Sequence, residues 1–306
     1  MRCTCSSALL LLAACTIPPP THPRPPLPLP VERTAVPVPE LVARTRLDNY
    51  RERGELRGAG ETVAFELWRE TQAPSPRPVV LLVPILAGGE NLMATVAEAV
   101  FARGYDVAWC QRVGRALAVG DRARELQELL RRTVLQQRLT LAWLRSGIAD
   151  PPPALFVLGI SLGGIVATDV AALEPGLTGA AVCLAGGDLP RLVTSSDEGR
   201  VRRWVEWRQR EDGVSEDHLQ WELAQWLRYE PVSLAQAVAT PRVLFVSARF
   251  DAVVVPRQQD LLWEALGRPQ RYTVPLGHYS AAIALWPIVA AATDHFDACA
   301  RAAAPH

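Results

Sequence analysis

The chain has no lysine. All of its 32 basic residues are arginine, and 32 acidic residues bring the formal net charge to 0. With no basic excess to displace phosphate counterions, a nucleic-acid partner is excluded. The missing lysine reads as a genomic composition bias, and the arginine-dense stretch from Arg112 to Arg145 as the solvated face of a helix. Cysteine is scarce: of 6 in all, only Cys110, Cys183 and Cys299 lie beyond Cys15. An odd number at no metal-ligand spacing excludes a disulfide framework and points to no metal centre. No apolar run near the start is long enough to span a bilayer; the run there, Ala8 to Ala14, is far too short. Internal repeats are also missing. What remains is 306 residues, 49% of them hydrophobic, ample for a globular core, and α/β sheets of this size often form a single domain.

The first residues stand apart from the fold. A weakly charged start at Met1 and Arg2, followed by the short apolar run, resembles a secretory signal. Leu12-Ala13-Ala14-Cys15 resembles the lipobox of bacterial lipoproteins. That resemblance implies acylation of Cys15 as the mature N-terminus and attachment to the cell envelope through acyl chains. Thr16 is not the aspartate linked to inner-membrane retention, which implies the outer membrane in a Gram-negative source. The alternative is cleavage at an Ala-x-Ala-like site and a soluble secreted protein. Residues 16–44 follow as a proline-rich tether, with ten prolines between Pro18 and Pro39. Such a segment favours extended polyproline II. At about 3.1 Å per residue it would hold the domain formed by 45–306 roughly 70 Å from the bilayer.

From residue 61 onward apolar strand runs alternate with helical patterns. Thr62 to Arg69 reads as an amphipathic strand, and Val79 to Val83 as a buried one stopped by Pro84. A helix capped by Asn91 runs through Phe101 and ends at Gly104; Tyr105 to Cys110 is the next strand. Asp121 opens a long helix carrying Leu126, Leu130 and Val134 on one face. Ala154 to Ile160 forms a strand, Leu162 to Glu174 a helix, and Ala180 to Ala185, Arg242 to Ala248 and Arg271 to Val274 three more strands. This alternation predicts an α/β architecture, a mostly parallel sheet covered on both faces, with ligands at the carboxyl ends of its strands. Residues 187–235 break the rhythm and read as a helical lid insertion carrying Trp204, Trp207, Trp221 and Trp226. Trp204 and Trp207 share a helix face. Packing of the insertion onto the body is the favoured role; an apolar wall for a substrate is the other.

Three residues stand out chemically. Gly159-Ile160-Ser161-Leu162-Gly163 lies between an apolar strand and a helix, the setting in which G-x-S-x-G raises a serine above a sheet edge. The serine of such a turn sits at strained dihedrals, so its neighbours must lack side chains that would clash. The backbone N–H of Leu162 and a helix N-terminus then face any oxyanion formed beside Ser161. A serine hydroxyl needs a base, and the base an orienting acid. Of the 5 histidines, His22 lies in the tether, His218 in the lid, His295 deep in a C-terminal helix and His306 at the terminus. His278, directly after the last strand, is the candidate base. Asp251, a short turn after the strand Val243 to Ala248, is the candidate acid, with Asp188 as the runner-up.

The order Ser161, Asp251, His278 is that of α/β-hydrolases. Residues from about 61 to 299 resemble that superfamily, esterase/lipase type, through Gly159 to Gly164, the Phe250-Asp251 turn leading to Pro256, and Gly277-His278-Tyr279-Ser280. The resemblance implies a sheet of about eight strands, a lid after the sixth, and Ser-His-Asp acyl transfer to and from carboxylic esters without a cofactor. It also implies that the Tyr105 strand lies beside the Val79 strand, followed by the Ser161 and Ala180 strands. Two strands then separate Cys110 from Cys183, about 14 Å at about 4.8 Å per strand, so both thiols are expected to be free and buried. One departure concerns the second oxyanion donor. Relatives carry His-Gly after the third strand, where this chain has Val83-Pro84-Ile85-Leu86-Ala87-Gly88-Gly89. Proline has no N–H, so the donor is Ile85 or Leu86, with Ile85 preferred. Peptidase, thioesterase and acyltransferase activities use the same constellation, and a non-catalytic envelope binding protein is the reading from a different class.

Overall fold

The computed structural model describes residues 15–17, 31, 33–86, 90–110 and 117–304. The signal-like run, most of the proline-rich segment and Ala87-Gly88-Gly89 lie outside the described residues. Its strands are β1 (Cys15–Ile17), β2 (Glu40–Arg46), β3 (Arg51–Gly58), β4 (Glu61–Trp68), β5 (Val79–Val83), β6 (Asp106–Cys110), β7 (Leu155–Ile160), β8 (Gly179–Cys183), β9 (Val243–Ala248) and β10 (Gln270–Val274). The helices are α1 (Glu90–Phe101), α2 (Ala123–Ser146), α3 (Leu162–Leu173), α4 (Leu189–Ser195), α5 (Gly199–Glu211), α6 (Glu216–Trp226), α7 (Pro231–Ala235), α8 (Pro256–Ala265) and α9 (Leu285–Ala303).

The strands form one sheet in the order β1-β10-β9-β8-β7-β5-β6-β4-β3-β2. β10, β9, β8, β7, β5 and β6 are mutually parallel. β5, β7 and β8 carry no polar side chain because both faces are covered. On β5, Val79, Leu81 and Val83 join a core with Leu126 of α2, Ile165 of α3 and Leu262 of α8. Val80 and Leu82 point the other way, into a core with Val96 of α1 and Ile288 of α9. The sequence-derived neighbours β6, β5, β7 and β8 occur in the expected order, and Cys110 and Cys183 are free and buried.

Four expectations are corrected. Among the described residues the sheet has ten strands rather than about eight. The additions include β2 and β3, which extend an antiparallel meander from β4. Their apolar alternation is weak because β2 is largely exposed, and cross-strand ion pairs such as Arg53–Glu66 at 2.8 Å replace a buried face. Within the 16–44 segment, the described residues lie against the fold and not free of it. β1 pairs with β10, Arg33 Nε donates to the Ala172 carbonyl (2.7 Å), Val31 and Val36 pack on the core, and β2 begins at Glu40. Proline bars helix but not an edge strand whose residues are not proline, nor docking of the residues between prolines. Asp121 does not cap α2. It accepts from the Ala118 N–H (2.7 Å), closing the preceding turn, while Glu125 reaches back to the Arg122 N–H (2.9 Å). Finally, α1 begins at Glu90, so Asn91 lies inside it rather than at its cap.

The lid helices α4 to α7 lie between β8 and β9, as expected. Arg208 of α5 is almost fully buried and bridges to Asp212 (2.5 Å) and to Glu222 of α6 (2.7 Å), tying these helices together.

Candidate active site

Ser161 sits between β7 and α3 at φ 59°, ψ −124°, a conformation that L residues rarely adopt. The strain is held by the surroundings. The Ser161 N–H donates to the Cys183 carbonyl on β8 (2.9 Å), and its carbonyl accepts from the N–H groups of Gly164 and Ile165 in α3. A Cβ on Gly159 would stand 1.9 Å from the Gly163 carbonyl oxygen, and one on Gly163 would stand 2.3 Å from the Val83 carbonyl oxygen. The glycines therefore allow strand, turn and helix to pass at backbone contact. Leu162 is the first residue of α3, so its N–H belongs to the set with no partner inside the helix.

Two further loops converge on the serine because β9 and β10 are parallel neighbours in register, Ala248 opposite Val274. Beyond those residues the chains remain zipped together. The Arg249 N–H donates to the Val274 carbonyl (2.9 Å) and the Phe250 N–H to the Leu276 carbonyl (3.0 Å). Asp251 and His278 thus leave the sheet edge side by side. His278 Nδ1 is 2.8 Å from Asp251 Oδ2, and His278 Nε2 is 3.0 Å from Ser161 Oγ. The Asp251 side chain is fully buried, and its Oδ1 accepts from the N–H groups of Val253 (2.9 Å) and Val254 (2.8 Å). A carboxylate facing Nδ1 selects the tautomer with the proton on Nδ1, leaving the Nε2 lone pair toward the serine.

Asp188 lies elsewhere. It precedes α4 in the left-handed region (φ 59°), with its carboxylate 3.6 Å from Arg191. One positioning residue carries no signal in the sequence: Gln259 of α8, fully buried. Its Oε1 accepts from the Ala248 N–H (3.1 Å), and its Nε2 donates to the carbonyls of Ala248 (3.2 Å) and Val254 (2.6 Å). It clamps both ends of the turn that carries Asp251.

A cavity of about 210 Å³ opens beside Ser161, walled mainly by Ile85, Leu86, Ile160, Leu184, Leu285 and Ile288. Both candidate oxyanion residues, Ile85 and Leu86, line it. Cys183 also lines it, and burial pushes its thiol up to about 12, so it is not a competing nucleophile at neutral pH. Glu198 at the rim caps α5, accepting from the N–H groups of Arg200 and Val201 at 2.8 Å each. The lid tryptophans do not line this cavity. Trp204 is buried, its indole N–H donating to the Asp121 carbonyl (3.1 Å), and the Arg122 guanidinium lies over Trp207 at 4.8 Å. They pack the lid onto the body.

A larger hollow of about 690 Å³ lies at Asp106, where β6 begins, and so at the amino ends of the parallel strands, away from Ser161. Five arginines and five carboxylates line it, so it has no charge excess with which to hold an ion. Among the described residues no cluster of three His, Cys, Asp or Glu is placed to hold a metal ion.

No protein-family model and no curated protein matches the chain. Solved structures do. A 2,6-dihydroxy-pseudo-oxynicotine hydrolase aligns with 80% of this chain and 67% of its own, at TM-score 0.59 and 18% identity. Acetyl xylan esterase 1 from Thermoanaerobacterium sp. JW/SL YS485 aligns over 84% and 89%, at TM-score 0.59 and 15% identity. An esterase from Pyrococcus furiosus aligns over 92% and 98%, at TM-score 0.55 and 13% identity. Together with the strand order, these likenesses establish that the chain has the α/β-hydrolase fold.

Proposed function

We propose that the protein is a serine hydrolase of carboxylic esters attached to the cell envelope. The observation that carries this reading is the continuous hydrogen-bonded line from Ser161 Oγ through His278 to Asp251. His278 Nε2 takes the proton of Ser161 Oγ as the oxygen attacks the ester carbonyl, forming the C–O bond of a tetrahedral oxyanion. The Leu162 and Ile85 N–H groups stabilise that oxyanion, each contributing roughly 3 kcal/mol. The imidazolium then protonates the leaving alkoxide, and the ester C–O bond breaks to give an acyl-serine. Water, deprotonated by His278, attacks this acyl group and releases the carboxylic acid, returning the proton to Ser161. Asp251 holds the imidazole in its orientation and tautomer throughout.

The apolar lining favours an uncharged acyl group, and its about 210 Å³ suits a short chain. The esterase names of the structural neighbours point to the same bond class. Attachment follows from acylation of Cys15, which metabolic labelling with a palmitate analogue tests: label is expected on the wild type and absent from Cys15→Ser.

Hydrolysis of p-nitrophenyl acetate tests the chemistry. Ser161→Ala is expected to lower kcat by about 10⁶-fold, and a fluorophosphonate probe should label only the wild type. Equal rates for the two proteins, or absence of labelling in the wild type, would overturn the reading in favour of a binding protein that keeps the fold.

A further inference from the structure

Four large apolar side chains stand in solvent on the segments next to the Ser161 cavity: Phe250 (65% exposed), Tyr279 (68%), which also lines the cavity, Ile283 (76%) and Trp286 (56%). Tyr279, Ile283 and Trp286 follow one another from the His278 loop through the 3-10 turn Ser280–Ala284 into α9, and all three are exposed, so together they form one outward apolar stripe. The alternating residues Ala281, Ala284 and Leu285 are buried beneath it. The Phe250 N–H is bonded to the Leu276 carbonyl, which brings its backbone beside the same loop, and its side chain is exposed there. Scattered apolar side chains are ordinary on a protein surface; a contiguous cluster marks a surface that something covers.

A second observation concerns the start of the sheet. β1 runs antiparallel to β10, with Cys15 opposite Thr273 and Ile17 opposite Arg271. The Cys15 backbone therefore lies at the end of β10 from which the His278 loop departs. That end also carries the apolar stripe. Arg249, exposed beside it with its guanidinium 5.8 Å from the Phe250 ring, offers a cation to anionic headgroups. No helix among the described residues is long and apolar enough to cross a membrane.

We propose that this surface docks onto a phospholipid bilayer, so that the Ser161 cavity opens onto the membrane instead of being held away from it. The proposal deepens the envelope-anchored hydrolase reading, and it names the substrate source: esters presented at the lipid–water interface. An acyl chain on Cys15 and the stripe would then enter one leaflet together, and two weak attachments on one rigid face make a stable one.

The test uses the full chain carrying Cys15→Ser, which removes acylation and so separates this surface from the anchor. Its sedimentation with vesicles of phosphatidylethanolamine and phosphatidylglycerol is compared with that of the same chain carrying Ile283→Ser and Trp286→Ser as well. Neither of these two side chains lines the cavity. The double replacement is expected to weaken vesicle binding at least about tenfold while leaving p-nitrophenyl acetate hydrolysis unchanged. Trp221→Ser with Trp226→Ser, on the exposed side of the lid, should leave binding as it was. Equal binding by the stripe variant, no binding by the Cys15→Ser chain, or loss on replacing the lid tryptophans instead would each overturn the proposal. Ser161→Ala with Cys15→Ser should bind as well as Cys15→Ser alone, so a failure of the hydrolase reading is seen separately.

Discussion

Asp251 and Asp169 are both sealed from solvent, and their surroundings are opposites. At Asp251 the backbone has built a replacement for water. Two N–H groups face Oδ1, an imidazole N–H faces Oδ2, and Gln259 fixes the turn that supplies them. Asp169, on α3, has neither carboxyl oxygen hydrogen-bonded among the described residues. Burial, with the Glu230 carboxylate nearby, pushes it well above the usual carboxylate range. Burial alone therefore drives a carboxyl group toward its neutral form. At Asp251 the loop instead aims two N–H donors at one oxygen and leaves the other facing the imidazole.

One substitution at both positions breaks or confirms this contrast. Asp251→Asn should lower kcat by about 10⁴-fold, because a carboxamide no longer selects the Nδ1–H tautomer. Asp169→Asn should leave kcat within about twofold, since no hydrogen bond of the triad involves it. Its readout is stability against pH. A carboxyl group raised above its unfolded value supports the fold at low pH and loses that support as pH rises. Denaturant unfolding of the wild type at increasing pH should show this loss, and Asp169→Asn should lack it.

Asp106 is an intermediate case. It accepts from the Glu70 N–H (3.0 Å) and faces Arg69 at 3.8 Å, yet burial raises it from 3.8 to about 6. The folded state holds its proton more tightly, so stability is full below pH 4 and falls as pH rises through about 6. Measured against Asp106→Asn, the wild type should lose up to about 3 kcal/mol between those limits. A flat difference between the two proteins would mean that Arg69 already compensates the buried charge.

Gln259→Leu gives a smaller loss of rate than Asp251→Asn. The turn loses its clamp while Asp251 keeps its two N–H donors, so kcat should fall roughly tenfold with KM unchanged. Gln259→Glu, which keeps the acceptor for the Ala248 N–H but sets an acceptor oxygen against the Ala248 and Val254 carbonyls, should not recover the loss. An unchanged kcat for Gln259→Leu would show that the two N–H groups position the acid unaided.

Legibility in the sequence followed burial. β5, β7 and β9 were readable because a strand covered on both faces is apolar at nearly every position. β2 and β3 were not readable, since strands partly open to water carry arginine and glutamate as readily as a loop does. Gln259 escaped notice because a buried glutamine in an amphipathic helix is written like a surface one. Asp188 and Asp251 each follow a core strand, and the short turn from Phe250-Asp251 to Pro256 favours Asp251 without excluding Asp188. The zipper of Arg249 and Phe250 onto the β10 loop carries Asp251, and not Asp188, to the imidazole.

The residues by themselves determined the layered α/β architecture and the turn at Ser161, because periodic burial and backbone clashes at glycines are short-range constraints. Only the tertiary structure decided which acid meets His278, that Trp204 is buried against the body, and that Cys15 lies at the same end of the sheet as the His278 loop. Each of these depends on which strands are neighbours and in what register, and such pairings join residues far apart in the chain that no local pattern encodes.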